Sequence, residues 1–203
     1  AAGILALAKQ VQPAMETRLA KHLLARTCFQ VDPNDSTIKG GGDGTTAGSA
    51  WKTNAAGFQF NENYGFGLIR ADALVQQASA FKGVTPLETE TTGTISVSAS
   101  IPDNSVAGIS RMFTLSKTTP LEEVLLTVDI RHRYRGDLEI LLTSPGGTAS
   151  RLACKSSSDS GDNIQWTFLS NAFWGEDPHG TWTANVRDVS ARERCSGSGL
   201  PPR

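Results

Sequence analysis

An alternation of apolar and polar residues dominates the second half of the chain. From Val124 to Arg131 every second residue is Val, Leu or Ile, a two-residue period that directs one row of side chains into a core. Six further segments show this strand pattern between Gly, Pro, Asp and Ser turns: 95–99, 112–115, 138–142, 150–153, 164–169 and 182–186. Because no helical pattern separates them, the sequence predicts a two-sheet β-sandwich.

The first 81 residues follow a helical pattern at each end. Residues 1–11 are small and apolar almost all round, which predicts a helix that is buried on every side. Thr17 is the predicted N-cap of a second helix that ends near Arg26, and residues 68–81 predict a third. The fully buried type of helix needs more neighbours than this chain supplies, so we expect the chain to begin within a longer protein.

Between these helices, the segment 32–48 is rich in Asp, Asn, Ser, Thr and Gly and has almost no apolar residue. This composition predicts a mobile, solvent-facing loop. Its glycines at 40–42 lack the preceding strand and following helix of a phosphate-binding loop, so nucleotide binding is not expected. The tail at 191–203 has the composition of a flexible linker.

Composition excludes several classes of partner. The chain has 203 residues, of which 38% are hydrophobic and 19% charged, which suffices for a core and for more than one structural unit. The formal net charge is −1 and no long basic run is present, which argues against nucleic acid and anionic membranes. No apolar run reaches the roughly 18 residues that a membrane-spanning helix needs. The first residues lack an initiator Met and the pattern of a signal peptide.

Aromatic residues, glycines and acids concentrate in residues 173–183, after two turn motifs in the same β-rich half. Together these motifs resemble, in order, the P domain, also called the Homo B domain, of kexin- and furin-like proprotein convertases and related bacterial proteases. The resemblance rests on a strand at 128–134, Arg-Gly-Asp-Leu at 135–138, a Ser-Pro turn at 144–145, Phe-Trp-Gly-Glu at 173–176, Gly-Thr-Trp at 180–182 and Val-Arg-Asp at 186–188. It covers about residues 91–190 and implies a jelly-roll β-sandwich.

The first half resembles the last part of a subtilisin-type α/β catalytic domain. The similar segments are the helices at 1–11 and 19–27 and the Tyr-Gly-Phe-Gly turn within 63–69. The family usually has Asp-Ala after that turn, whereas this chain has Arg70-Ala71-Asp72. The resemblance therefore implies a mainly β protein in four parts: a helical, loop-rich remnant of the catalytic domain at 1–81, a linker at 82–92, the P domain at 93–190 and a flexible tail at 191–203.

The resemblance implies the C-terminal portion of a secreted or extracellular serine endopeptidase, with periplasmic passage as an option. Such a protein cleaves polypeptide substrates, and its P domain packs against its own catalytic domain and stabilises it. The chemistry needs a serine, a histidine and an aspartate with an oxyanion hole, none of which can be assigned here. We therefore expect no catalytic residue, no cofactor-binding residue and no peptidase activity in this chain alone. The alternative is a free-standing β-sandwich that binds a protein or a glycan.

The three histidines and the Arg-Gly-Asp motif have structural interpretations. His22 falls on a predicted helix without a serine partner, and His132 and His179 recur at no spacing typical of metal ligands. We expect a structural role for each. The motif at 135–137 continues directly into a strand, which favours a turn in which Asp137 accepts backbone hydrogen bonds and Arg135 pairs with a nearby acid, over a role in cell adhesion.

Several acids lie in or beside turns, where their oxygens could converge on a calcium ion. They are Asp137, Asp159, Asp162, Glu176, Asp177 and Asp188. Their spacing matches no EF-hand loop, so no metal site is assigned, and solvated turn acids are the favoured alternative. Trp174 and Trp182 are expected to fill the core or the contact with the catalytic domain rather than form a sugar-binding platform.

Three cysteines leave at least one unpaired. An exported parent protein, as the resemblance implies, favours a bridge between Cys154 and Cys195. Cys28 would then be a free thiol or would pair with a group outside the chain. The sequence leaves this connectivity open.

Overall fold

The computed structural model describes residues 1–35 and 51–190. The helices within these ranges are α1 (Ala2–Val11), α2 (Thr17–Thr27) and α3 (Ala71–Ala80). A short hairpin is formed by β1 (Lys52–Thr53) and β2 (Gln59–Phe60). The longer strands are β3 (Ile109–Leu115), β4 (Val124–Ile130), β5 (Leu138–Thr143), β6 (Ala149–Ala153), β7 (Ile164–Ser170) and β8 (Gly180–Asp188). Most of the predicted loop at 32–48 and the predicted tail at 191–203 lie outside the described residues.

The three predicted helices are present, but α2 and α3 begin at other residues than predicted. Thr17 is the first helical residue of α2, not its cap: Glu16 occupies the cap position in an extended conformation without a side-chain hydrogen bond. Helix α3 begins at Ala71 instead of 68, because Leu68 exchanges two backbone hydrogen bonds with Phe29 and is held in an extended bridge. None of the described helices is long and apolar enough to cross a membrane.

The prediction that α1 is buried on every side relies on neighbours that this chain does not supply, and it stays a prediction; within the described residues α1 is buried on one face only. Ala8 is fully buried against α2 and α3, where it joins an apolar core with Leu23 and Leu74. Leu7, by contrast, is 51% exposed and Val11 is also exposed. Only one face of α1 therefore has neighbours in this part of the chain, although its sequence is apolar on several faces.

Antiparallel strands make up the second half, which confirms the mainly β prediction. Strands β3, β8, β5 and β6 form one sheet in that order, and β4 pairs with β7 in a second. Leu142, Phe173 and Trp182 form the buried core of this region, and Phe113 and Val124 pack against it. Because Val124 belongs to the second sheet and Leu142 to the first, both sheets contribute to this core, as in a β-sandwich.

The prediction of a strand at 95–99 is wrong. The chain has neither helix nor strand between Phe81 and Ile109. A two-residue period shows only which side chains would share a face, whereas a strand also needs a neighbour that accepts and donates its backbone hydrogen bonds. Val97 accordingly stays exposed. The other six predicted strands are confirmed within a few residues of their predicted ends.

Candidate functional site: the seam between helices and β-sandwich

The helical region and the β-sandwich meet along a seam, which we define by residues 18–22 and 54–58 on one side and 122–123, 144–148 and 172–176 on the other. One of its buried polar residues is Asn54, which is only 4% exposed. Asn54 Nδ2 donates hydrogen bonds to the carbonyl oxygens of Ala172 (3.0 Å) and Trp174 (2.9 Å). Its Oδ1 accepts from the N–H groups of Ala56 (3.0 Å) and Phe58 (2.9 Å). One amide therefore shapes the β1–β2 turn and joins it to the β-sandwich.

The next residue extends this contact. The N–H of Ala55 donates to Glu176 Oε1 at 3.0 Å and to Thr148 Oγ1 at 3.1 Å. Glu176 is 2% exposed, so its carboxyl group lies within the seam and not on the surface. At Gly146 a side chain would collide with the Ala55 methyl group. The Ser-Pro-Gly-Gly-Thr and Phe-Trp-Gly-Glu motifs thus meet the same turn of the helical region.

Aromatic rings fill the space beside these hydrogen bonds. The Trp174 ring is 3% exposed and meets His22 and Phe66 edge to face, with ring centroids 5.0 Å and 5.9 Å apart. Gly175 has φ +78°, and a Cβ atom there would lie 2.7 Å from Cε2 of Phe58, so this position requires glycine. The predicted packing role of Trp174 is confirmed.

Trp182 is fully buried and donates its indole N–H to the carbonyl oxygen of Pro178 at 2.9 Å. Its predicted core position is therefore also confirmed. The exposed indole is that of Trp166, which is 64% exposed on β7 and which the sequence did not single out. One exposed ring does not make the paired aromatic platform that the glycan-binding alternative requires.

Charged groups close the other end of the seam. The guanidinium group of Arg18 on α2 holds both carboxylate oxygens of Glu122, with Nε 2.9 Å from each. His22 Nε2 lies 2.9 Å from Oε1 of the same carboxylate, and Lys21 pairs with Glu123 at 3.0 Å. The hydrogen bond from Arg18 is the main cause that lowers the pKa of Glu122. Glu122 therefore stays ionised and fixes α2 against the start of β4.

The predicted structural histidines occupy three different environments. His22 lies in the seam, as described. His132 Nε2 is 3.2 Å from an Asp188 carboxylate oxygen, and burial raises the pKa of Asp188. His179 lies in an exposed turn, where its backbone N–H donates to Asp177 Oδ1 at 2.9 Å. None of the ring contacts described for these histidines involves a serine hydroxyl within residues 1–35 and 51–190, and their structural role stays a prediction.

The Arg-Gly-Asp motif forms a single turn of 3-10 helix before β5. Arg135 Nε donates to Asp159 Oδ2 at 2.9 Å, which confirms the predicted local ion pair. Asp137 is buried, so its carboxylate cannot be presented to a partner as an adhesion motif would require.

Among the turn acids proposed for calcium, Asp188 has its pKa raised chiefly by burial and further by the nearby charge of Asp137, but the described part of the chain brings no third acid to them as a metal site. Asp159 is held by Arg135, Asp177 by the turn at His179, and Asp188 by His132 and the N–H of Ser190. In residues 1–35 and 51–190 no group of three or more His, Cys, Asp or Glu side chains is placed to hold a metal ion. Calcium binding stays a prediction without assigned ligands.

Of the three cysteines, Cys28 and Cys154 lie among the described residues. Cys28 lies half-buried at the end of α2, and burial raises the pKa of its thiol. Cys195 lies outside the described residues, so the proposed bridge to Cys154 stays a prediction.

Sequence reasoning missed Asn54, Arg18 and Glu122, which carry the seam. A local signal existed only for Asn54, since Asn followed by glycine three residues later favours a turn closed by the side chain. Nothing local marks its bonds to Ala172 and Trp174, which lie 118 and 120 residues away.

Comparisons with known proteins agree with this architecture. Residues 121–196 match the family described as proprotein convertase P-domain. Human proprotein convertase subtilisin/kexin type 7 is 32% identical over 197 residues, and rat type 5 is 33% identical over 204. The alignments include 93% and 96% of this chain but only 23% and 10% of those relatives. The solved serine protease of Aeromonas sobria superposes with a TM-score of 0.78 at 27% identity, over 93% of this chain and 36% of that structure.

Proposed function

This chain carries the P domain of the kexin- and furin-like proteases of the subtilisin family, and on that premise we propose that it is the C-terminal portion of a secreted serine endopeptidase. In this proposal residues 1–81 belong to the catalytic domain, 82–92 form the linker and 93–190 form the P domain. The partners are the remainder of the catalytic domain and the polypeptide substrates of the complete enzyme. The β-sandwich stabilises the catalytic domain and does no chemistry.

The observation that carries this proposal is the buried Asn54 amide. It belongs to the helical region, yet two of its four hydrogen bonds go to backbone carbonyls of the β-sandwich. A buried carbonyl that loses its donor keeps the cost of its desolvation, so each region needs the other to satisfy its polar groups. The Arg18–Glu122 pair supports the same dependence at the far end of the seam.

Peptide cleavage is assigned to the complete enzyme and not to this chain alone. His22 and His132 each contact a carboxylate, as a triad histidine also does, but none of their ring contacts within residues 1–35 and 51–190 reaches the serine hydroxyl that a catalytic histidine needs as nucleophile. The 203-residue chain should therefore leave a fluorogenic peptide intact, and cleavage that is blocked by a serine-protease inhibitor would contradict the assignment.

Stabilisation is tested in the complete protease with Asn54→Ala. We expect a shorter half-life of activity at elevated temperature, while kcat/KM at a permissive temperature stays within about twofold of wild type, since the change leaves the reacting groups untouched. Gln59→Ala is the matched control, because Gln59 is an exposed amide in the same hairpin whose side chain, among the described residues, bonds only to Thr53. Equal half-lives for both variants would remove the support for a stabilising role.

A further inference from the structure

The loop between β3 and β4 holds a carboxylate with backbone donors. We define the 116–119 loop as Ser116 to Thr119. The N–H of Ser116 donates to Glu90 Oε1 and the N–H of Lys117 to Glu90 Oε2, each at 3.0 Å. The Ser116 hydroxyl adds a third bond to Oε1 at 2.7 Å. Each oxygen of one planar carboxylate is therefore matched by its own N–H, from two successive residues.

A second acid is held in the same loop. Lys117 Nζ lies 2.9 Å from Glu88 Oε2, and the Thr119 hydroxyl donates to the same oxygen at 3.1 Å. Glu88 and Glu90 are two residues apart, so in an extended chain both side chains point to the same face. The loop thus contacts two acids that are spaced as Glu-x-Glu.

The donors come from the fold, whereas the acids come from a segment without regular structure. Ser116 follows directly after β3, so the positions of its N–H and of the next one are set by a paired strand. Successive backbone N–H groups that converge on one point form an anion-binding site, and bonds to an ionised acceptor are stronger than neutral ones. Hydrogen bonds from Ser116 and Lys117 lower the pKa of Glu90, and those from Lys117 and Thr119 lower that of Glu88.

We propose that the 116–119 loop is a binding site for an extended Glu-x-Glu segment, and that residues 88–90 of the chain's own linker fill it as a displaceable ligand. These contacts lie at the surface, where water and competing anions reach them. A tethered ligand has an effective concentration in the millimolar range, so a free acidic segment must exceed that level to displace it. Neutralising the resident acids opens the site.

The site is connected to the seam through the same stretch of chain. Glu122 and Glu123, which hold α2, follow the 116–119 loop by only three and four residues. On the linker side, Arg18 also donates to the carbonyl oxygen of Thr85, three residues before Glu88. Occupancy of the site therefore determines where the linker lies between the two regions.

The test uses the 203-residue chain with Glu88→Gln and Glu90→Gln together, labelled with nitrogen-15. The probe is the tripeptide acetyl-Glu-Thr-Glu-amide, which reproduces residues 88–90, and acetyl-Gln-Thr-Gln-amide is its neutral control. We expect saturable shifts of the Ser116 and Lys117 amide signals with the acidic probe only. In wild type we expect the apparent affinity for the acidic probe to be lower by about tenfold or more, because the linker already occupies the loop.

The proposal is overturned if the variant shows no saturable shift, if the neutral probe gives equal shifts, or if the probe binds wild type with equal affinity. Two further titrations use sodium chloride at matched ionic strength and sodium sulfate. If sulfate shifts the Ser116 and Lys117 amide signals as strongly as the acidic probe does, Glu-x-Glu recognition is rejected. Asp72→Asn is the control variant, since this exposed acid pairs with Arg70 and lies outside both the loop and the seam. If the double variant loses its tertiary structure, Glu90→Gln alone removes the two-oxygen contact and is tested in the same way.

Discussion

Replacing Asn54 by alanine is the sharpest perturbation of the seam. The change deletes four hydrogen bonds and adds no volume, so it cannot act through overpacking. The two bonds from Nδ2 end on backbone carbonyls of Ala172 and Trp174 in buried surroundings. The two to Oδ1 close a turn whose N–H groups are only partly buried, and water can replace part of that loss.

The expected cost follows from this difference in burial. A buried hydrogen bond contributes about 1 kcal/mol net, and a buried group left without a partner costs about 1–3 kcal/mol. Taken near the lower end of that range, the two carbonyls account for about 2–3 kcal/mol and the turn for up to about 1 kcal/mol more. We expect Asn54→Ala to lower the free energy of unfolding by about 2–4 kcal/mol.

Urea unfolding of the 203-residue chain, followed by tryptophan fluorescence, measures this change because Trp174 lies at the seam. Asn54→Asp is a second variant for the same test. It keeps an acceptor for the N–H groups of Ala56 and Phe58, but it replaces the donor to the two carbonyls by an oxygen. At neutral pH it should therefore lower the free energy of unfolding at least as much as alanine does. A loss below about 0.5 kcal/mol for Asn54→Ala, the range of ordinary surface substitutions, would refute the reasoning.

Two further predictions concern Glu122 and Gly175. Arg18 lowers the pKa of Glu122 below the unfolded value of about 4.3. The stabilisation that ionised Glu122 contributes is therefore present above that pH and is lost as the pH falls through the lower pKa of the folded state. Urea midpoints measured between pH 7 and pH 3 should accordingly fall less for Glu122→Gln than for wild type. Equal slopes would show that Glu122 is not the linked group. Gly175→Ala should cost about 1–3 kcal/mol from its positive φ and more from the clash with Phe58. Gly147→Ala is its control, since Gly147 also has positive φ but open space around Cβ, and an equal loss in thermal midpoint would exclude the clash.

Periodicity predicted the strands where each one also has a paired neighbour. Residues 124–130 alternate except for the apolar Leu125, and β4 spans those same residues because β7 pairs with it along its whole length. The segment at 95–99 alternates equally well and remains unpaired, since a local pattern carries no information about which edge is free. The predicted start of α3 was wrong for a related reason. Leu68 fits the helical pattern, but its long-range bridge to Phe29 holds it in an extended conformation.

The contacts of the seam could not be predicted from local sequence patterns, because no such pattern distinguishes most of its residues from surface residues. Trp174 could be placed in the interior, since a large ring contributes most where it is buried. Asn54, Arg18 and Glu122 are polar residues that occur on any protein surface, and only the tertiary structure buries Asn54 and partly buries Arg18 and Glu122. Polar groups that become buried through long-range contacts therefore have to be found in the structure.

The polar character of the seam has a physical consequence for how the two regions hold together. Each region has its own apolar core, with Leu23 and Leu74 in one and Leu142 and Trp182 in the other. Apolar contact is non-directional and would tolerate several relative orientations. The Asn54 amide and the two-oxygen contact between Arg18 and Glu122 are directional, so a rotation that breaks them leaves buried groups without partners. The hydrogen bonds of the seam therefore select one orientation of the β-sandwich against the helices, while the cores supply most of the stability within each region.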